Sequence, residues 1–146
     1  SKLREKKIIN VKIFEKSCFF LLEKLKKNSI QEFWILYPDP WPKKKHYKRR
    51  LIGNKFIEFL YYGLKNEGKI YLATDDNHYF MDILLKFCNF RLFRWENDRP
   101  NFWSRPFKKM ARTSFFIKAN KNSNKSNFLI FSKKYNLKKK IFKILE

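Results

Sequence analysis

Glycine is scarce here, with only Gly53, Gly63 and Gly68 in 146 residues and no G-x-G pair among them. Only glycine lets a backbone turn pass close against a bound nucleotide-like ligand. The sequence therefore lacks a glycine-rich cofactor turn. Cysteine is scarcer still. Cys18 and Cys88 stand far apart in apolar stretches, with no C-x-x-C spacing and no histidine beside them, which excludes a disulfide framework or zinc module and predicts two reduced core residues. No apolar run approaches the roughly 18–20 residues of a membrane span, and no signal-peptide apolar region is present. These absences give the expectation of a soluble, cytoplasmic protein with no membrane and no metal. Acid is also short: 13 Asp and Glu face 35 Lys and Arg, for a formal charge of +22. A field of that size attracts polyanions and repels itself when unpartnered, so nucleic acid is the natural counter-charge. A compositional bias toward Lys, Asn, Ile and Phe accounts for part of the lysine count but not for where the cations cluster.

What is present describes a folding chain. The hydrophobic fraction is 44% and the aromatic fraction 19%, enough for one domain over residues 1–132, followed by a basic, weakly amphipathic tail at 133–146. Ile8 to Phe14 alternates as a strand does, and Cys18 to Leu25 repeats its apolar residues at helical spacing. Glu32 to Tyr37 (EFWILY) is an aromatic and aliphatic run ending at Pro38, which predicts a strand buried on both faces. Asn54 is placed to cap a helix to about Leu64, with Phe56, Ile57, Leu60, Tyr61 and Leu64 on one face and Asn66-Glu67-Gly68 closing it. Lys69 to Ala73 is the next strand. Asn77 is placed to cap a helix carrying Phe80, Ile83, Leu84 and Phe87, after which Phe90 to Trp95 and Asn127 to Phe131 read as extended. Alternation of strands and helices predicts a doubly wound α/β fold, mostly parallel with an antiparallel edge, whose ligands sit beyond the carboxyl ends of the strands. Asp39 and Asp75 stand at two such ends.

The informative stretch runs from Tyr37 to Leu51, YPDPWPKKKHYKRRL. Three prolines in five positions stiffen the strand-end loop and present Asp39 in one orientation. Trp41 offers a flat face on which a base can stack, with simple packing as the alternative. Lys43 to Arg50 holds six Lys or Arg in eight positions, dense enough to neutralise several phosphates; a solvated charge run is the alternative.

This run, with Thr74-Asp75 after the next strand, resembles the tRNA (guanine-N7)-methyltransferase family, and the similarity extends from about Val11 to Phe131, including Arg105-Pro106. The resemblance implies the C-terminal portion of a Rossmann-like methyltransferase fold. It also implies transfer of the methyl group of S-adenosylmethionine to N7 of a guanine in the tRNA variable loop. By the same resemblance Asp39 is the catalytic carboxylate and also a cofactor contact, Lys43, Asp75 and Thr113 bind substrate, and tRNA is the partner. Lys44, Lys45, Lys48, Arg49 and Arg50 are expected on the tRNA backbone.

Two positions depart from the family pattern. Phe116 stands where the Thr-x-x-Glu motif beginning at Thr113 has its acid, and Ser17 stands where an acid opens the first helix. With the missing glycine turn, these lead us to expect a C-terminal portion or a decayed relative, inactive on its own. The chemistry suits the residues that remain: guanine N7 carries a lone pair and no proton, so attack on a sulfonium methyl needs no general base. A fixed carboxylate offsets the purine charge that develops and accepts from the guanine N1 and N2 donors. His46, in a lysine-rich loop, is expected to contact phosphate or to pack. Two other readings stay open. A base amino-group methyltransferase would carry Asp/Asn-Pro-Pro-aromatic, against Asp39-Pro40-Trp41 here. A non-catalytic basic RNA-binding protein would need no cofactor turn.

Overall fold

The structure, a computed structural model, describes residues 9–96 and 127–134. Arg105, Pro106, Thr113, Phe116 and the tail beyond residue 134 lie outside the described residues.

Chain order within them is α1 (Cys18–Leu22), β1 (Ile30–Leu36), a 3-10 helix (Lys44–Arg49), α2 (Asn54–Gly63), β2 (Leu64–Thr74), α3 (Asn77–Phe90), β3 (Phe93–Glu96) and β4 (Asn127–Lys133). The strands form one four-stranded sheet in the order β1-β2-β4-β3. β1 and β2 run parallel with Ile35 opposite Leu72 and Leu36 opposite Ala73. β4 is antiparallel to β2, and β3 antiparallel to β4. The parallel strand-helix-strand step gives the expected α/β class, but the one antiparallel strand among the described residues, β4, lies inside the sheet between β2 and β3 rather than at its edge. The helix between β1 and β2 is needed because parallel neighbours cannot be joined by a tight turn.

Ile8 to Phe14 is not a strand where described: residues 9–15 carry no regular structure. Its alternation has no ladder to join among the described residues, and Ile9 and Ile13 stand exposed. α1 stops at Leu22, short of the expected Leu25. β1 is an edge strand among the described residues rather than one buried on both faces: Phe33 and Ile35 turn partly inward, while Trp34 faces out and stacks on Tyr71 at 3.9 Å. Both cysteines are exposed, contrary to the core placement their apolar neighbours suggested. Cys18 opens a short surface helix, and Cys88 lies just off the buried face of α3.

Asn66-Glu67-Gly68 does turn, but inside β2. The register jumps from Ile30 opposite Leu64 to Glu32 opposite Lys69, and Glu67 takes φ of 60°. At Gly68 a Cβ would lie 2.8 Å from Leu64 Cγ and 2.9 Å from the Gln31 carbonyl, so this excursion admits only glycine.

The core is one cluster joining α2 (Phe56, Ile57, Leu60), β2 (Ile70, Leu72), α3 (Tyr79, Ile83, Phe87) and β4 (Leu129, Phe131). Phe87 stacks on Phe131 at 4.1 Å and meets Phe93 edge-on at 5.1 Å. α2 is capped by Gly53 rather than Asn54, and α3 by Asp76 rather than Asn77. The Tyr79 N–H donates to Asp76 Oδ1 at 2.6 Å. Tyr79 lies on the buried face at i, i+4, i+8 with Ile83 and Phe87. β4 runs to Lys133, one residue into the stretch read as the tail. There the Lys133 ammonium donates to Asn28 Oδ1 and to the carbonyls of Tyr61 and Leu64, at 2.8, 2.8 and 2.7 Å. Burial holds its pKa below the ordinary lysine value.

The Tyr79 hydroxyl accepts the Ile52 backbone N–H at 3.1 Å with both residues buried. Burial pushes its pKa up to about 12. Tyr79→Phe leaves that N–H without a partner, which costs about 1–3 kcal/mol. A fall in unfolding free energy of that size in urea titration is expected, with an unchanged m-value; a change below about 0.5 kcal/mol would show that the bond contributes little.

Candidate nucleic-acid interface

The site grows from the carboxyl ends of the two parallel strands. The ladder continues one residue past β1, where the Tyr37 N–H donates to the Ala73 carbonyl at 2.8 Å. Asp39 and Asp75 therefore leave the sheet side by side, each two residues beyond that last bond. Asp39 is exposed, whereas Asp75 is only 7% exposed and engaged within the fold.

The loop that holds Asp39 is strained on both sides. Tyr37 has φ of 53° and Trp41 φ of 42°. Aromatic residues in the left-handed region cost on the order of 1–3 kcal/mol each and persist only where the surroundings hold them. Here the prolines at 38, 40 and 42 fix φ, Pro40 is buried, and the Arg50 Nε donates to the Pro40 carbonyl at 2.7 Å. Tyr37, Pro38, Asp39, Trp41, Arg49 and Leu51 line a cleft of about 330 Å³. The Arg49 guanidinium lies 5.1 Å from the Trp41 ring and His46 meets the same ring edge-on at 5.8 Å. Trp41 thus packs locally while lining the cleft, and His46 is a packing partner in the described fold.

The basic run folds as a short 3-10 helix with Lys43 as its cap. Lys43, Lys44, Lys45, Lys48 and Arg49 are exposed. The ion pairs among the described residues engage Arg50, Lys55, Lys69, Lys86 and Arg94, and none of those five exposed cations. Among the described residues they form a positive face beside the cleft that no carboxylate neutralises. Tyr47 is half-buried, its hydroxyl 3.2 Å from His78 Nε2.

Arg50 corrects the reading that placed it on the tRNA backbone. Its side chain is 1% exposed, with Nη1 on Asp82 Oδ2 at 3.0 Å, and its guanidinium lies 3.8 Å from the Tyr47 ring and 4.7 Å from the Tyr79 ring. The 3-10 helix ends at Arg49, and the chain turns the next side chain inward. The site thus also contains Tyr47, His78, Tyr79 and Asp82, which the sequence did not single out. Only the pairing of the 3-10 helix and α3 in three dimensions brings them together, although the i, i+4, i+8 spacing of Tyr79 with Ile83 and Phe87 marked Tyr79 as facing the core.

Among the described residues no three His, Cys, Asp or Glu gather to hold a metal. No helix among them is long and apolar enough to cross a membrane.

Residues 1–129 match the family described as "Putative methyltransferase". The chain is 31% identical over 129 residues to a tRNA (guanine-N(7)-)-methyltransferase of Agrobacterium fabrum, covering 88% of this chain and 56% of that relative. It is 35% identical over 114 residues to the protein of that name from Bartonella henselae, covering 78% and 49%. Over 81 residues it is 42% identical to the one from Clostridium tetani, covering 56% and 38%. The chain spans about half the length of the curated relatives it matches.

Proposed function

We propose that this chain, which belongs to the methyltransferase family matched over residues 1–129 and is similar to tRNA (guanine-N(7)-)-methyltransferases, forms the tRNA-gripping, base-recognising part of a cytoplasmic enzyme that methylates N7 of a guanine in tRNA, with S-adenosylmethionine as donor. One observation carries the reading: a stiffened loop offers the Asp39 carboxylate at a strand end, directly beside an unpaired cationic face.

In this reading Lys44, Lys45, Lys48 and Arg49 grip phosphates, where exposed unpaired cations are most effective. Lys43 and Asp75 contact the substrate, with Thr113 a third contact. Trp41 offers a stacking surface at the cleft wall. Asp39 accepts from the guanine N1 and N2 donors and offsets the charge that appears on the purine as N7 is alkylated. It needs no proton transfer, since N7 attacks through its lone pair.

None of the three glycines forms a turn open to a cofactor. A Cβ at Gly63 would meet Leu25 at 3.0 Å, and Gly68 is closed by Leu64 and Gln31, so both glycines serve packing. Gly53 caps α2. In this reading Asp39 is also a cofactor contact.

The chain alone is therefore expected to bind tRNA with a steep salt dependence and to transfer little or no methyl from radiolabelled S-adenosylmethionine. Filter binding and a labelled-transfer assay on the same preparation measure both. Robust turnover would overturn the account of the cofactor side. Binding to tRNA no tighter than to a neutral polymer would overturn the function itself.

A further inference from the structure

We infer that Arg50 is the positioning residue of the Asp39 loop, acting through the Pro40 carbonyl and the Tyr47 ring rather than by touching RNA; this rests on the reading of Asp39 as the base-recognising carboxylate. Arg50 joins the loop to α3 with different parts of one planar group. Its Nε holds the Pro40 carbonyl at 2.7 Å, and its Nη1 holds Asp82 at 3.0 Å. Asp82 is itself fixed by Lys86 at 2.8 Å, one helical turn on. Tyr47 and Tyr79 lie against the guanidinium, so its plane cannot swing.

Stability alone does not explain an arginine here. The Nη2 atom is buried without a hydrogen-bond partner among the described residues, and a buried charge with an unmet donor is generally no better for stability than a well-packed apolar side chain. What arginine uniquely supplies is two directional bonds from a rigid fork, which a lysine ammonium on a flexible stem cannot duplicate. The consequence falls on Asp39. The Pro40 ring fixes φ just after it, the Arg50 bond fixes the next peptide plane, and Trp41 is held at φ of 42°. Without Arg50 the strained loop can relax, and the carboxylate loses its fixed direction.

The test uses the full chain and a tRNA transcript carrying either guanine or inosine in the variable loop, since inosine lacks the N2 amine that Asp39 would accept from. The unmodified chain should prefer guanine by about tenfold or more, the range of one good base contact. In Arg50→Lys that preference should fall below about twofold with the salt slope of binding unchanged. The Trp41 indole N–H signal, assigned with Trp41→Phe, should also shift or broaden while core methyl signals hold. Asp82→Asn should move both readouts in the same direction.

Retention of both the guanine preference and the indole signal in Arg50→Lys would overturn the inference. So would a salt slope reduced by about one unit, the mark of one phosphate no longer neutralised. If Arg50→Lys fails to fold, Asp82→Asn decides, and no effect there overturns the inference. If the unmodified chain shows no guanine preference, the reading of Asp39 fails, and the indole signal alone decides for or against Arg50.

Discussion

Asp39→Asn is expected to slow methyl transfer by roughly 10²-fold or more while raising the tRNA dissociation constant by only about tenfold, the share of one base contact, in an active enzyme that contains this chain together with a cofactor-binding half. The substitution keeps size and shape and removes the charge. Asp39 is exposed at the mouth of the cleft, so the fold does not depend on it, and the loop is held from elsewhere through Pro40 and Arg50. Two roles for the carboxylate then separate cleanly. If it served only to hold the loop by hydrogen bonds, asparagine would preserve much of that role and the rate would change little. If it offsets the developing purine cation, the loss falls on the chemical step and appears in single-turnover transfer at saturating enzyme. A rate within about threefold of the parent would sink the catalytic assignment. A rise in the tRNA dissociation constant well beyond about tenfold would count against it as well, because the grip is assigned to the exposed cations of residues 43–49.

The parts of this fold that were legible in the sequence are those where local chemistry and tertiary context agree. EFWILY stops at Pro38 because proline cannot continue the ladder, and β1 ends one residue before that run does. The face of α2 was readable because Phe56, Ile57 and Leu60 recur at helical spacing and all three are buried. Where the outcome depended on a partner, the pattern was insufficient. The alternation of Val11 and Ile13 shows that a strand is possible there, not that a neighbour exists to pair with it. Tyr79 shares the spacing of Ile83 and Phe87 but stands in the first turn of the helix, and a tyrosine hydroxyl gives no sign that a buried N–H awaits it. At the site, Asp39 was legible because proline rigidity and a strand end are both local properties. Arg50 was not. In a run of like charges it is indistinguishable from Arg49, and only the end of the 3-10 helix sends one side chain to the surface and the next into the core.

Neutralising Lys43, Lys44 and Lys45 together to glutamine is expected to weaken tRNA binding by the chain roughly 10²-fold at about 0.1 M salt. It should also lower the slope of log K against log salt by about one unit for each phosphate that is no longer neutralised. All three side chains are exposed and outside the ion pairs of the described fold. The one bond that Lys43 gives to its helix is made by its backbone carbonyl, which accepts the His46 N–H at 2.8 Å, and glutamine keeps it. Removing three like charges from a chain of +22 also relieves self-repulsion, so the variant should unfold no more easily than the parent. A fall in binding by a protein of undiminished thermal stability can then be assigned to these side chains themselves. A uniform fall across tRNA sequences would identify the lysines as phosphate ligands, because phosphates carry no sequence information. An unchanged slope would mean that the run is a solvated surface, and the grip on RNA would have to be sought elsewhere on the chain.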